Sequence, residues 1–418
     1  MQRNSMRPVR NGPPQPSGRA SAGRISNGMR RFGGRPFSGR RPQPRGRFSE
    51  KKIDISRYIN TTVKQSEAEV FVPAHAFADF QVDTRLRANI AAKGYEVPTP
   101  IQDKAIPEIL SGKDIVGIAN TGTGKTAAFL IPLINKVLLG KNEQVLIVVP
   151  THELAIQIDE EFKAFTKGMR LFSVCAVGGV PIRKQIAGLR YFNNFVIGTP
   201  GRIKDLIERG VLQLARFRTV VLDEADRMLD MGFIHDMRSI ISKLPTERHT
   251  LFFSATISFD VEHLIKEFLR DDPVRISVKT GETAQNVHQD IIRVTGGASK
   301  YDILHGLLQK KEFEKVLVFG RTKHGVQRLA DVLRSRGHSS AAIHGNKNPS
   351  QRQRALNDFK TNRARVLVAT DVAARGLDIP DVSHVINFDM PKSHDDYVHR
   401  IGRTGRGDKK GKALTFVD

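Results

Sequence analysis

The apolar run Ile115-Val-Gly-Ile-Ala119 leads into a glycine-rich loop, Ala119-Asn-Thr-Gly-Thr-Gly-Lys-Thr126, and then into an apolar-periodic stretch from Thr126 to Leu139. Few folds place such a loop between a buried strand and a helix N-terminus, and the unit belongs to parallel α/β sheets. Thr121, Gly122, Thr123, Gly124, Lys125 and Thr126 read as a phosphate cradle. The two glycines let backbone N–H groups turn onto phosphate oxygens, Lys125 reaches the β/γ-phosphates, and the Thr126 hydroxyl suits Mg²⁺. Ala119 stands where the strict pattern has glycine. A second segment, Asp223-Glu-Ala-Asp226, closes another apolar run, Val220-Val-Leu222, about a hundred residues on. Asp223 at that strand end can hold a metal, and Glu224 can orient or deprotonate a water. An isolated acidic quartet reads as a solvated loop; behind a buried strand and downstream of a phosphate loop it does not. The pair implies binding and hydrolysis of a nucleoside triphosphate.

Strand-like and helix-like runs alternate from Phe77 onward. Val145–Val149, Phe195–Ile197, Thr219–Leu222 and Thr250–Phe253 form one series of strands; 316–319, 340–343, 366–369, 385–388 and 413–416 form a second, without a phosphate loop. The pattern predicts two α/β domains, residues 77–278 and 287–418, joined by a polar linker at 279–286. Residues 51–76 form a transition segment. Residues 1–50, with 12 arginines, eight glycines, seven prolines and one acid, read as a disordered basic tail that binds RNA loosely, recruits a partner, or only solubilises the chain with no dedicated ligand. The formal net charge of +24 favours a polyanion. The longest apolar runs are strand-sized and no secretory signal stands at the N-terminus, so no membrane partner is expected. The single cysteine, Cys175, excludes an internal disulfide and reads as a small strand residue. Together these give the expectation of a cytoplasmic protein.

The second domain carries His399-Arg-Ile-Gly-Arg-Thr-Gly-Arg406. Such a density of arginine is poor core material and suits phosphate charge developing in a transition state, or a basic nucleic-acid patch. With it the chain resembles the DEAD-box RNA helicases, from Phe77 to the C-terminus. The motifs stand in family order: Gly94–Gln102 with Phe77 upstream, the phosphate loop, Pro150–Ala155, Gly178-Gly179, Thr199–Arg202, Asp223–Asp226 and Ser254-Ala-Thr256. They continue through Val318–Thr322, Gln351–Arg354, Thr370-Asp371, Arg375–Asp378 and the arginine-rich motif. Ile343–Lys347 is most similar to the bacterial RhlE-type branch.

The resemblance implies two tandem RecA-like domains and an ATP-dependent RNA helicase using ATP and Mg²⁺, with a monomeric core. It also implies roles. Gln102 selects adenine and Phe77 packs near the base, unless it is a core aromatic. Asp378 lies near the ribose. Asp226, Ser254, Thr256 and His399 couple the nucleotide site to the domain interface, and Arg403 and Arg406 act as arginine fingers. His152, Gly178, Gly179, Thr199, Gly201, Arg202, Arg354 and Thr370 contact the RNA sugar–phosphate backbone, with little sequence specificity. His152 departs from the family's usual arginine, which would weaken a phosphate contact near neutral pH. Asn120 departs from the usual glutamine. The chain stops at Asp418 just after its last strand, leaving a truncated sequence and a bare face of the second domain open. Two rivals remain at this stage: an ATP-locked RNA clamp that does not hydrolyse, and a DNA-acting motor.

Overall fold

A computed structural model describes residues 71–417 apart from 121, 141, 271, 279–286, 296, 298, 375–378, 380 and 406–409. The expected tail, most of the transition segment, the linker, Thr121, Asp378 and Arg406 thus lie outside the described residues.

Two all-parallel sheets organise the chain. The first comprises β1 (Ile115–Ile118), β2 (Val145–Val148), β3 (Ser173–Ala176), β4 (Phe195–Gly198), β5 (Thr219–Leu222), β6 (His249–Ser254) and β7 (Val274–Ser277). Its strand order is β3-β4-β2-β5-β6-β1-β7. The second comprises β8 (Val287–Arg293), β9 (Val316–Phe319), β10 (Ser340–Ile343), β11 (Val366–Ala369), β12 (His384–Asn387) and β13 (Gly411–Val417), in the order β10-β11-β9-β12-β13-β8. Helices on both faces bury the central strands from either side, so β2, β4, β5, β9 and β11 consist almost wholly of Val, Ile, Leu, Phe and Ala. β7 and β8 lie at sheet edges and alternate buried with exposed positions. Neither carries a continuous apolar run, and neither was expected as a strand.

Each sheet has a core on both faces. In the first, helix Lys125–Leu139 packs with Ile147, Ile197 and Phe253, and the opposite face gathers Val116, Val148, Leu222 and Phe252. In the second, Phe416 of β13 is buried with Phe388 and Leu304, while Ala413 is buried with Tyr397 and Ile401. Both faces of the last strand are therefore covered, which corrects the expected bare face. Cys175 is half-buried in β3, and burial pushes its thiol well above the usual thiol range.

One buried histidine carries a pH consequence. His384 at the start of β12 is 3% exposed and stacks on Phe313 with ring centroids 4.0 Å apart. Its Nδ1 meets Ser383 Oγ at 3.0 Å, and its Nε2 is buried without a partner among the described residues. Burial, with the nearby Lys412 charge, pushes its pKa down to about 4. Unfolded, the ring protonates near pH 6.5, so the unfolded state binds the extra proton first and stability is lost as pH falls. The melting temperature is expected to drop between about pH 6.5 and pH 4, with a shallower drop in His384→Phe. Parallel melting curves for the two proteins would refute this assignment.

Candidate nucleotide and nucleic-acid site

Because all strands of each sheet run in parallel, the segments after them share one edge, where α/β sheets hold their ligands. β1 leads into the phosphate loop, β2 into Thr151 and His152, β3 into Gly178-Gly179, β4 into Thr199 and β5 into Asp223. Ser254 ends β6, and Thr370 follows β11.

The loop is laced to the helix Pro100–Leu110. Thr99 Oγ1 donates to the Thr123 carbonyl at 2.8 Å, and Gln102 Nε2 donates to the Gly124 carbonyl at 3.1 Å. Gln102 Oε1 accepts from Thr99 N at 2.9 Å, completing a capping box. Gln102 is 2% exposed and both ends of its amide are spent inside the protein. In this arrangement it braces the loop. Phe77 packs inside the lobe. It is 3% exposed and packs edge-on against Phe80 and Tyr95 at 5.8 and 5.3 Å, which is its core-aromatic alternative. Lys125 is buried and its Nζ donates to the Ala119 carbonyl at 2.6 Å.

Gly124 caps the helix at φ +91°, and a Cβ there would lie 2.4 Å from Gln102 Nε2. Gly124→Ala therefore meets both backbone strain and a clash. ATP affinity is expected to fall about tenfold or more, since strain of ~1.4 kcal/mol already amounts to that factor. Titration with a fluorescent ATP analogue reads the change. Unchanged affinity would mean that the loop's shape does not set binding.

The acidic segment is packed more tightly than its composition suggests. Asp223 is 2% exposed, Oδ1 accepts from Glu224 N at 2.9 Å, and burial pushes its pKa up to about 6 despite the Lys125 charge. Glu224 adopts the left-handed conformation (φ 53°, ψ 47°), which costs a non-glycine residue about 1–3 kcal/mol. Its Oε2 accepts from Arg227 Nη1 at 3.0 Å, both side chains being almost wholly buried. Arg227 Nε and Nη2 have no partner among the described residues. Asp226 Oδ2 accepts from Ala255 N at 3.2 Å and from Thr256 N and Oγ1, each at 3.0 Å. Ser254 Oγ instead donates to the Thr256 carbonyl at 2.7 Å, so of the two hydroxyls only that of Thr256 bonds Asp226.

In the second lobe, Arg400 and Arg403 take different places. Arg400 is 2% exposed and forks onto Asp371 (Nε to Oδ1 2.5 Å, Nη2 to Oδ2 2.8 Å). It also bonds Asn387 Oδ1 and the Asp389 carbonyl, and lies 5.0 Å over the Phe319 ring. Arg403 and His399 line a small cavity beside it with Ala374 and Asp396.

The two lobes touch where the candidate RNA residues gather. Arg352 Nη2 donates to Glu153 Oε2, whose side chain is 3% exposed. A Cβ on Gly179 (φ +75°) would lie 2.7 Å from Pro349, which opens the helix Pro349–Lys360 bearing Arg352 and Arg354. Arg354 is exposed, with no partner among the described residues. His152 adjoins this pair; burial first and Arg352 next push its pKa down, Glu153 opposing. Gly178 and Thr199 are on the same edge, and Gly201 faces Asp236 at a distance. Arg202 reaches the Val180 carbonyl at 3.3 Å and Asp205 at 3.7 Å. Arg227 was not singled out from sequence, and Glu153, Arg352 and Asp371 stood in quoted motifs without an assigned role. One signal was there for Arg352: residues 352 and 354 are two apart on a helix and so point to different faces.

Comparison with known proteins agrees with this arrangement. Residues 99–264 match the family model "DEAD/DEAH box helicase", and 299–408 match "Helicase conserved C-terminal domain". The chain is 46% identical over 343 residues to the DEAD-box ATP-dependent RNA helicase CshA of Bacillus subtilis, covering 82% of this chain and 69% of that protein. It is also 46% identical to CshA of Geobacillus kaustophilus, covering 82% and 73%. Among solved structures it resembles S. cerevisiae Dbp5 bound to RNA and ADP BeF3 (TM-score 0.72, 31% identity, 82% of this chain and 90% of that one). It likewise resembles the DEAD-box helicase Mss116 bound to ssRNA and UDP-BeF (TM-score 0.75, 28% identity, 83% and 76%). These relatives lend no support to the finer RhlE-type placement. With two parallel α/β lobes, the loop and acidic segment on one edge and these relatives, the chain belongs to the DEAD-box family of ATP-dependent RNA helicases, enzymes that hydrolyse ATP.

Proposed function

We propose that ATP binds at the loop 121–126, with RNA held along the neighbouring strand-end edge of both lobes, and that ATP turnover gates the grip on RNA. The observation that carries this reading is the bonding of Asp226. One carboxylate joins the acidic segment to the Ser254–Thr256 turn, so a change at the nucleotide is felt at the edge facing the second lobe.

The residues fit a divalent cation. Thr126 and Asp223 are hard oxygen donors, and the buried Asp223 carboxylate, with its raised proton affinity, favours a positive partner. Bound there, Mg²⁺ would neutralise phosphate charge. Glu224, held by Arg227, orients and deprotonates the attacking water. Lys125 leaves the Ala119 carbonyl to reach phosphate, and Arg403 and Arg406 approach the γ-phosphate when the lobes close. Arg406 and the ribose candidate Asp378 enter on sequence grounds alone. Gln102 and Thr99 hold the loop's shape. Reading adenine requires Gln102 to give up its bond to Gly124.

Gly178, Gly179, Thr199, Gly201, Arg202, Arg354, Thr370 and His152 contact the sugar–phosphate backbone, so affinity is sequence-tolerant. The core acts as a monomer in the cytoplasm. No described helix is long and apolar enough to cross a membrane. The basic tail 1–50 adds affinity for RNA or for ribonucleoprotein partners. Steady-state ATPase with single-stranded RNA, single-stranded DNA or neither tests this reading. Strong stimulation by RNA alone is expected; equal stimulation by DNA would overturn the substrate assignment.

A further inference from the structure

The opposite edge of the first lobe carries a feature that hydrolysis and the strand-end cleft do not use. Residues just before β2, β4 and β5 lie there, one strand length, about 13 Å, from the cleft edge. A groove of about 320 Å³ opens at this edge, lined by Arg190, Tyr191, Phe192, Gln213 and Arg216 among others. Tyr191 is 78% exposed and Phe192 48%, and Phe172 beside them is 57% exposed.

These rings stand on a pinned backbone. Asn193 Nδ2 donates to the Gly188 and Tyr191 carbonyls at 3.0 and 2.8 Å, and Gln144 Nε2 donates to the Asn193 carbonyl at 2.8 Å. Phe172 N donates to Asn194 Oδ1 at 3.1 Å, and its carbonyl accepts from Asn194 N. Holding adjacent aromatic rings in water on an ordered turn forgoes their burial, which marks an interaction surface. The charge says which kind. The Arg190 and Arg216 guanidiniums have no hydrogen-bond or ion-pair partner among the described residues, and no acidic side chain lines the groove. Exposed rings flanked by free guanidiniums suit bases that stack and phosphates that pair.

We infer that this groove is a second binding site for single-stranded RNA, holding the strand where it continues beyond the cleft. It rests on the reading of the strand-end edge as the RNA cleft. Only RNA longer than the cleft holds can reach both, so the site acts through effective concentration and leaves the chemistry alone.

The test uses the full chain and oligouridylates of about 10 and about 40 nucleotides, lengths spanning one such site and well beyond it. In Tyr191→Ala/Phe192→Ala, the concentration of the long RNA giving half-maximal ATPase is expected to rise about tenfold, or ~1.4 kcal/mol. The short RNA's value and kcat with either RNA stay unchanged. In Arg190→Gln/Arg216→Gln, the log–log salt slope for the long RNA is expected to fall by about 1.4, two single-strand phosphate contacts. Ultraviolet cross-linking of the long RNA should mark the peptide containing Tyr191 and Phe192. An unchanged response to long RNA would overturn the proposal and assign the rings to a protein partner or to none. Equal losses with both lengths would overturn it as well, since the patch would then act through the cleft or the fold. If no RNA stimulates the wild type, the cleft reading fails separately, and the cross-link still decides the groove.

Discussion

Glu224→Gln is expected to lower kcat for RNA-stimulated ATP hydrolysis by about 10²–10⁴, the range for a positioned general base. The substitution keeps size and leaves an amide oxygen to accept from Arg227 Nη1, so the buried pair loses charge and basicity but not shape. ATP and RNA binding are therefore expected to persist, and the variant should hold RNA in an ATP-dependent way for longer than the wild type. Steady-state ATPase together with RNA binding in ATP reads both effects. A kcat within a few-fold of wild type would remove Glu224 from the chemistry. Wild-type protein that locks on RNA without turnover would instead revive the clamp. Arg227 gives a second handle. Arg227→Gln frees the Glu224 carboxylate from its buried partner, so kcat should fall while the half-saturating ATP concentration changes little.

The second large effect separates two neighbouring arginines. Arg403→Ala is expected to cost about 10³ or more in kcat, as arginine fingers do. Arg400→Ala should lower stability as its first effect. Its guanidinium has four bonds and a ring beneath it, and removing it leaves Asp371 without its counter-charge. Breaking one partner of such a buried pair costs about 3–5 kcal/mol. That corresponds to a melting shift of about 10 °C or more for the second lobe. Thermal melts beside single-turnover hydrolysis distinguish the two. If Arg403→Ala keeps its turnover while Arg406→Ala loses it, the finger is Arg406 alone.

How much was legible in advance follows from local and non-local physics. Central strands such as Val145–Val148 and Val366–Ala369 are buried on both faces, and that burial writes itself into the sequence as an unbroken apolar run. Edge strands β7 and β8 bury one face in part, so their alternation hides among loops. The candidate nucleotide loop was legible as a motif because a phosphate cradle is local. Glycines, a lysine and a hydroxyl must follow one another at fixed spacing, and the acidic segment must end a strand.

Contacts between residues far apart in the chain were not legible. That Gln102 would spend its amide on Gly124, that Ser254 would bond the Thr256 carbonyl rather than Asp226, and that Phe77 would sit among Phe80 and Tyr95 depend on side-chain geometry. Arg352 meets Glu153 across 199 positions of sequence, and Arg400 meets Asp371 across 29. By itself, then, the sequence determined two parallel α/β lobes, the phosphate loop and the family. Periodicity and motif spacing are properties of neighbouring residues. Only the tertiary structure decided that Arg400 braces the fold through Asp371, and which aromatic is core and which faces water. Pairing and burial depend on what the fold brings alongside each side chain.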